Sequence, residues 1–296
     1  MDNILKTTPE MYHKPCHEKL QMLKSMGYSI AANGTCYTRK HQGFLPALME
    51  KMYKERKMYK KKMIDCQKRQ QAGEKNLEKD IAKFNNFQMV RKIQLNSAYG
   101  AIGNQYFRYY DTNLAEAITL SGQLSIRWIA DKLNAFLNKT VGTEDYDFIV
   151  ASDTDSVYIR LGTLVDKVCP NKDTKEVVDF LDKSCEEVIL PFIRKKYDEL
   201  ARMTNAYENK MVMDRECVAD KGIWTAKKRY MLNVHDSEGV RYEEPKLKIM
   251  GIETTRSSTP HIVRQRLKSA IKLIMSTDEE TIINFIDETR DEFMQA

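Results

Sequence analysis

Two carboxylates, Asp153 and Asp155, stand one residue apart in Phe148-Ile-Val-Ala-Ser-Asp-Thr-Asp-Ser-Val-Tyr-Ile-Arg-Leu161. Like charges this close repel unless a cation neutralises them. Hard oxygen donors at that density suit Mg²⁺, which keeps several waters and draws the rest of its shell from substrate phosphates. The competing reading is an ordinary acidic turn, because Asp and Ser favour turns through local hydrogen bonds. Runs rich in β-branched and aromatic residues flank a polar tip at Ser152 to Ser156, which predicts a β-hairpin carrying both acids.

A second chemical signal is cationic. Between Lys51 and Arg69 nine Lys or Arg face two acids, Glu55 and Asp65, and such clustering predicts a polyanionic partner. Pro46 to about Gln70 reads as a helix, with Leu48, Met52, Tyr59 and Met63 among the lysines. Ala72-Gly73-Glu74 breaks it. A second helix from about Lys75 to Tyr99 has Leu77, Ile81, Phe84, Phe87 (or Gln88), Ile93 and Leu95 as its apolar positions. So short a connection makes the pair an antiparallel helical hairpin. With the turn near Gly73, Arg56 is level with Arg91 or Lys92. Lys60 and Lys92 then differ by only ~6 Å along the axis at ~1.5 Å per residue. Arg56 and Lys60, one turn apart, share a face, so three cations can converge near the open end. A solvated lysine-rich face is the alternative.

The elements that must hold these groups follow from the rest of the chain. Residues 1–45 read as irregular apart from a small hairpin between Tyr28 and Tyr37 that turns at Asn33-Gly34. Gly100 and Gly103 end the second helix. Asp111 caps a long third helix to about Asn138, with Leu114, Ile118, Leu124, Ile126 (or Trp128), Ile129, Leu133 and Phe136 as its stripe and Trp128 as core. Another helix spans about Thr174 to Met203, broken or bent near Pro191. Lys210 to Val218 and Gly222 to Val234 read as strands. The second carries Lys227, Lys228, Arg229 and Tyr230, of which a strand lets only two face one partner. A guarded edge strand explains the same lysines. Glu253 to Pro260 is loop, and a final amphipathic helix begins near His261.

Composition narrows the class. With 296 residues, 42% hydrophobic and 30% charged, and a net charge of +6, the chain can bury a real core in one large or two ordinary domains. Cysteines 16, 36, 66, 169, 185 and 217 lack CxxC pairs or His partners at metal spacing, and so read as reduced thiols. Met1-Asp-Asn-Ile-Leu-Lys6 lacks the pattern of a signal peptide, and no apolar run reaches membrane-spanning length.

Together these segments carry a resemblance. Lys92-Ile-Gln-Leu-Asn96-Ser-Ala-Tyr99-Gly100 resembles motif B of family B DNA polymerases. Asp153-Thr-Asp155-Ser resembles their motif C, Lys227-Lys-Arg-Tyr230 their DNA-contacting segment, and Arg56-x-x-x-Lys60 the pair on their first fingers helix. Order and spacing agree from about Ser29 to Pro260. Asn104-Gln-Tyr-Phe-Arg-Tyr-Tyr-Asp111 and Leu247-Lys-Ile-Met-Gly-Ile-Glu253 are similar to the replicative polymerases of T-even-type phages. The family's motif A, Asp-x-x-Ser-Leu-Tyr-Pro, does not occur in this sequence. Neither do the exonuclease domain that precedes it in the family and most of the thumb. The chain therefore reads as the C-terminal piece of a split polymerase, or a truncated frame.

The resemblance implies an α+β fold: a palm with an antiparallel sheet backed by helices, and an α-helical hairpin as fingers. Its divisions would be a palm-proximal segment (1–45), fingers (46–103), palm (104–260) and the start of a thumb (261–296). It implies template-directed DNA synthesis, a nucleotidyl transfer from dNTP to primer, performed with a complementary chain that carries exonuclease and motif A. Two Mg²⁺ ions would sit on Asp155, with Asp153 nearby and Glu216 acting indirectly. Arg56, Lys60 and Lys92 would hold the triphosphate, with Asn96 by the nucleotide and Tyr99 with Gly100 under the new base pair. Lys227, Lys228, Arg229 and Tyr230 would meet primer–template DNA, and a sliding clamp would be reached through another chain. The implied location is cytoplasmic. A non-catalytic nucleic-acid-binding remnant is the alternative; a structural basic helical protein would leave the Asp-Thr-Asp hairpin unexplained.

Overall fold

The structure, a computed structural model, describes residues 14–295, without the side chains of residues 14–17. Cys16 and the amino-terminal Met-Asp-Asn-Ile-Leu-Lys lie outside the described side chains and residues respectively. In chain order the elements are α1 (Lys14–Ser25), β1 (Tyr28–Ile30), β2 (Cys36–Thr38), α2 (Phe44–Gln71), α3 (Glu78–Ile102) and α4 (Thr112–Val141). There follow β3 (Ile149–Asp153), β4 (Ser156–Ile159), α5 (Gly162–Val168), α6 (Thr174–Ser184), a π turn (Cys185–Ile189) and α7 (Leu190–Met203). Last come β5 (Cys217–Ala226), β6 (Arg229–Ser237), β7 (Val240–Met250), a 3₁₀ turn (Glu253–Thr255), α8 (His261–Ser276) and α9 (Glu279–Gln295). Helices thus mix with small antiparallel sheets. Instead of one continuous sheet, the described strands form three: β1–β2, β3–β4 and β5–β6–β7. Two compact units result, Met1–Lys172 with Ser184–Asp214, and Asp173–Lys183 with Arg215–Ala296.

The first unit is built on α4. Asp111 accepts the amides of Asn113 and Leu114, and Gly142 closes the other end in the left-handed conformation (φ 71°). The buried stripe is Ala117, Ser125, Trp128, Ile129, Leu133, Leu137 and Val141; it shares Trp128, Ile129 and Leu133 with the expected one, whereas Ile118 is exposed. Trp128 is core, as expected, and its indole N–H donates to the Lys196 carbonyl at 3.0 Å. It packs with Ile129 and Leu133 against Ile189, Ile193, Tyr197 and Leu200. Burying each such side chain is worth about 1.5–3 kcal/mol. The helix is interrupted near Pro191, as expected: Pro191 has no amide hydrogen for the carbonyl four residues back, and the π turn widens the ladder just before it.

The helical hairpin forms with the register expected from a turn at Gly73 (φ 98°). Arg91 meets Glu55 at 3.1 Å, and Tyr59 lies 5.1 Å from Phe87. Two details differ. The second helix runs through Gly100 to Ile102 before Gly103 ends it, and Ile93 is exposed; of the alternatives Phe87 and Gln88, it is Gln88 that is buried. The Asn33-Gly34 hairpin also forms, held by Ile30 N–H to Thr204 O (2.9 Å) and Asn33 Nδ2 to Asn113 O (3.1 Å). The segment before it is not wholly irregular, since α1 lies there.

In the second unit β6 is central in its sheet, and Met231 packs with Ile252, Ile271 and Met275. Three expectations fail here. Residues 210–216 are not strand, and the first strand starts at Cys217. The stretch from Gly222 to Val234 is two strands, because the chain reverses at Lys227-Lys228. The final helix is two, divided where Thr277 leaves helical geometry and the Asp278 carboxylate accepts the Thr281 amide at 2.8 Å.

Candidate functional site

The acidic hairpin is fastened to α4 by two asparagines one turn apart. Asn134 Oδ1 accepts the Phe148 amide (2.8 Å), and Asn138 both accepts the Tyr146 amide (3.0 Å) and donates to the Tyr146 carbonyl (2.7 Å). Phe148, fully buried with Leu137 and Val141, and the half-buried Ile149, Val157 and Ile159 add apolar contact. Asp153 pairs with Ser156 across the ladder, which leaves Thr154 and Asp155 as a two-residue turn. Such turns favour Gly or Asn where φ is positive, yet Thr154 has φ 54°. A β-branched residue there stores strain, the kind that persists where surrounding structure over-determines it. The half-buried Asp153 accepts the Thr154 hydroxyl at 3.0 Å, whereas Asp155 is exposed. Among the described residues no side chain pairs with the Asp155 carboxylate.

The two acids are hard oxygen donors of the type Mg²⁺ takes, but they are only part of a shell. Among the described residues no group of three or more His, Cys, Asp or Glu is placed to hold a metal ion.

On the helical hairpin, Arg56 and Lys60 lie one turn apart and are half-buried; Lys92, Asn96, Tyr99 and Gly100 are exposed on the second helix. The Arg56 Nε is buried without a hydrogen-bond partner. A buried cationic donor without an acceptor costs free energy that an incoming anion would recover. Gly100 sits inside a helix, where Gly costs about 1 kcal/mol against Ala. A Cβ there would meet nothing within 4 Å, so the chain's own packing gives no reason for the glycine.

The second unit holds the remaining expected residues. Glu216 lies just before β5, 59% exposed and ion-paired with Lys248 at 2.6 Å. Lys227 and Lys228 form the β5–β6 turn and are exposed. Arg229 opens β6, and Tyr230 is buried with its ring 6.1 Å from Trp224. The expected strict alternation of these four is therefore replaced by a two-lysine tip. Sequence reasoning missed what Arg229 touches, the Glu253 carboxylate, and the partner of Arg91, Glu55. The second was within reach, since the expected register already placed Arg91 level with Arg56. Cysteines 36, 66, 169, 185 and 217 are free thiols. No described helix is long and apolar enough to cross a membrane.

The sequence profile of DNA polymerase family B matches residues 6–296, and the chain belongs to that family. Two phage proteins are similar along most of it. The DNA-directed DNA polymerase of Enterobacteria phage T4 is 36% identical over 320 residues, covering 90% of this chain and 36% of the relative. That of Escherichia phage RB69 is 37% identical over 304 residues, covering 85% and 34%. A DNA polymerase alpha catalytic subunit from Arabidopsis thaliana is 32% identical over 155 residues, 52% of this chain and 8% of the relative. The chain spans about a third of the length of its phage relatives.

Proposed function

We propose that this chain supplies the palm hairpin and fingers of a template-directed DNA polymerase, transferring a nucleotidyl group from dNTP to a primer end. The observation that carries the reading is the strained Asp-Thr-Asp tip, which presents an unpaired exposed carboxylate beside a second one. Asp155, with Asp153 beside it, would hold Mg²⁺, which when bound neutralises charge on the transferring phosphoryl group. Arg56, Lys60 and Lys92 bind the triphosphate: the guanidinium fork and the ammonium point charges both suit phosphate oxygens. The unpartnered Nε of Arg56 fits that role. Asn96 lies by the nucleotide, and the bare Gly100 with Tyr99 lets the new base pair approach the helix backbone. Lys227 and Lys228 meet the duplex with Arg229 and Tyr230 behind them, and Glu216 acts on the metals indirectly. A duplex contact at phosphates and the minor groove tolerates any sequence.

The carboxylate of motif A must come from polypeptide outside these 296 residues, along with the exonuclease and any route to a sliding clamp. The 296-residue polypeptide alone is therefore expected not to extend a primer in Mg²⁺, because two ions cannot be held in line by one side of their site. Adding a polypeptide that contains Asp-x-x-Ser-Leu-Tyr-Pro should restore extension. Robust extension by the purified chain alone would sink the shared-site reading. DNA binding by that mixture without any synthesis would favour the non-catalytic remnant.

In that assembly Lys92→Ala should slow incorporation strongly and leave primer–template affinity nearly unchanged, since the charge faces the triphosphate. Single-turnover rates and DNA titrations separate the two effects. Collapsed DNA binding with normal incorporation at saturating DNA would make the basic hairpin a duplex-binding face.

A further inference from the structure

We infer that Gly251 and Glu253 are positioning residues that set the Lys227–Lys228 turn for duplex DNA, an inference that rests on the reading of that turn as a duplex contact. The turn needs outside support. Ala226 pairs with Arg229, so only Lys227 and Lys228 cross between the strands. Lys228 takes φ 63°, a left-handed conformation disfavoured for a side chain of its kind.

The support comes from the end of β7. Met250 pairs with Tyr230, and the chain then turns at Gly251 with φ 67°. The Lys228 carbonyl is seated directly against Gly251: a Cβ at 251 would overlap its oxygen, lie 3.1 Å from its carbon and 3.3 Å from Arg229 Cγ. Two residues on, the Glu253 carboxylate takes the Arg229 guanidinium with both oxygens. The residue after the left-handed lysine is thereby tied to the same segment that its carbonyl rests on. The side chains of this pair are 39% and 42% exposed. Pairs so exposed contribute little to stability, so what the pair offers is geometry.

Charge and position predict opposite signs at Glu253. It is an acid paired with the residue that follows the two-lysine turn, and removing it raises the local positive charge, which by electrostatics alone tightens DNA binding. If Glu253 instead holds the turn in place, its loss weakens binding.

The test is fluorescence anisotropy of the full 296-residue chain on a labelled primer–template duplex at several salt concentrations. K227A/K228A is expected to weaken binding and to lower the salt slope by about one for each phosphate left without its lysine. Glu253→Gln and Gly251→Ala should each weaken it by about 3- to 10-fold, the worth of one positioned hydrogen bond. The exchanged pair R229E/E253R should return affinity toward the parent, with thermal unfolding checking that every variant is folded. Should Gly251→Ala unfold the sheet, Glu253→Gln and the exchanged pair decide. Unchanged affinity in K227A/K228A removes the duplex reading and this inference with it. Weaker binding there, with Glu253→Gln binding as well as the parent or tighter, overturns the positioning inference alone. An exchanged pair no better than Glu253→Gln also overturns it.

Discussion

Asp155→Asn is expected to slow single-turnover nucleotide incorporation on the order of 10³-fold or more, and Asp153→Asn clearly less, in the chain assembled with the polypeptide carrying motif A. At 1.36 kcal/mol per decade that is about 4 kcal/mol of lost transition-state stabilisation, the scale of removing a full charge from a carboxylate proposed to hold dications. The hairpin itself supports the asymmetry. Asp153 ends a strand, is half-buried and accepts the Thr154 hydroxyl, so part of its capacity holds the turn. Asp155 is exposed on the tip. Neither change should unfold the hairpin, because Asn134, Asn138 and buried Phe148 secure it from α4. Removing one of two like charges is neutral or slightly stabilising without metal. Rates and thermal unfolding of both variants beside the parent decide the matter. Equal, mild rate losses would reduce the pair to an ordinary acidic turn.

What could be read from the sequence was local. The helical hairpin and its register were legible because Ala72-Gly73-Glu74 is short enough to force antiparallel packing, and Glu55 meets Arg91 as that geometry requires. The acidic hairpin and the α4 cap were legible for the same reason: β-branched runs flank a polar tip, and Asp111 precedes an apolar stripe. The break before α9 was also within reach, since Thr277-Asp278-Glu-Glu is a helix-start pattern and Asp278 does cap.

The reversal at Lys227-Lys228 was not legible. No Gly or Asn marks it, and the glycine that accommodates it is Gly251, far along the chain. Two lysines in a run of strand formers therefore read as strand. The site shows the same limit. Residue types and order pointed to Asp155, Lys92 and Arg56, but the unpartnered Arg56 Nε and the bare surface at Gly100 are consequences of packing that spacing does not encode.

The largest stability effect is expected at Asp236, for which the sequence held no signal. Its carboxylate is fully buried on β6, ion-paired with Arg215 and 3.3 Å from Arg241 Nε, and it accepts the Gly239 amide of the β6–β7 turn at 3.0 Å. Asp182 of α6 meets Arg215 at 2.7 Å and Arg241 at 3.1 Å, and Asp179 meets Arg241 at 2.9 Å. One buried acid thus ties a helix, a hairpin turn and the segment before β5. Asp236→Ala leaves Arg215, whose side chain is only 9% exposed, without its buried counter-charge. Breaking a buried pair from one side costs about 3–5 kcal/mol. Hydrogen exchange in urea should show that loss in peptides from β6 and β7, while α4 peptides in the other unit serve as the internal reference. Adding Arg215→Met to Asp236→Ala should recover part of it, because the buried cation left with only the half-exposed Asp182 is gone, and the double-mutant cycle then measures the coupling. A loss below about 1 kcal/mol in the single variant, the range of an exposed pair, would mean that water reaches Arg215 and that the network does not hold the sheet to α6.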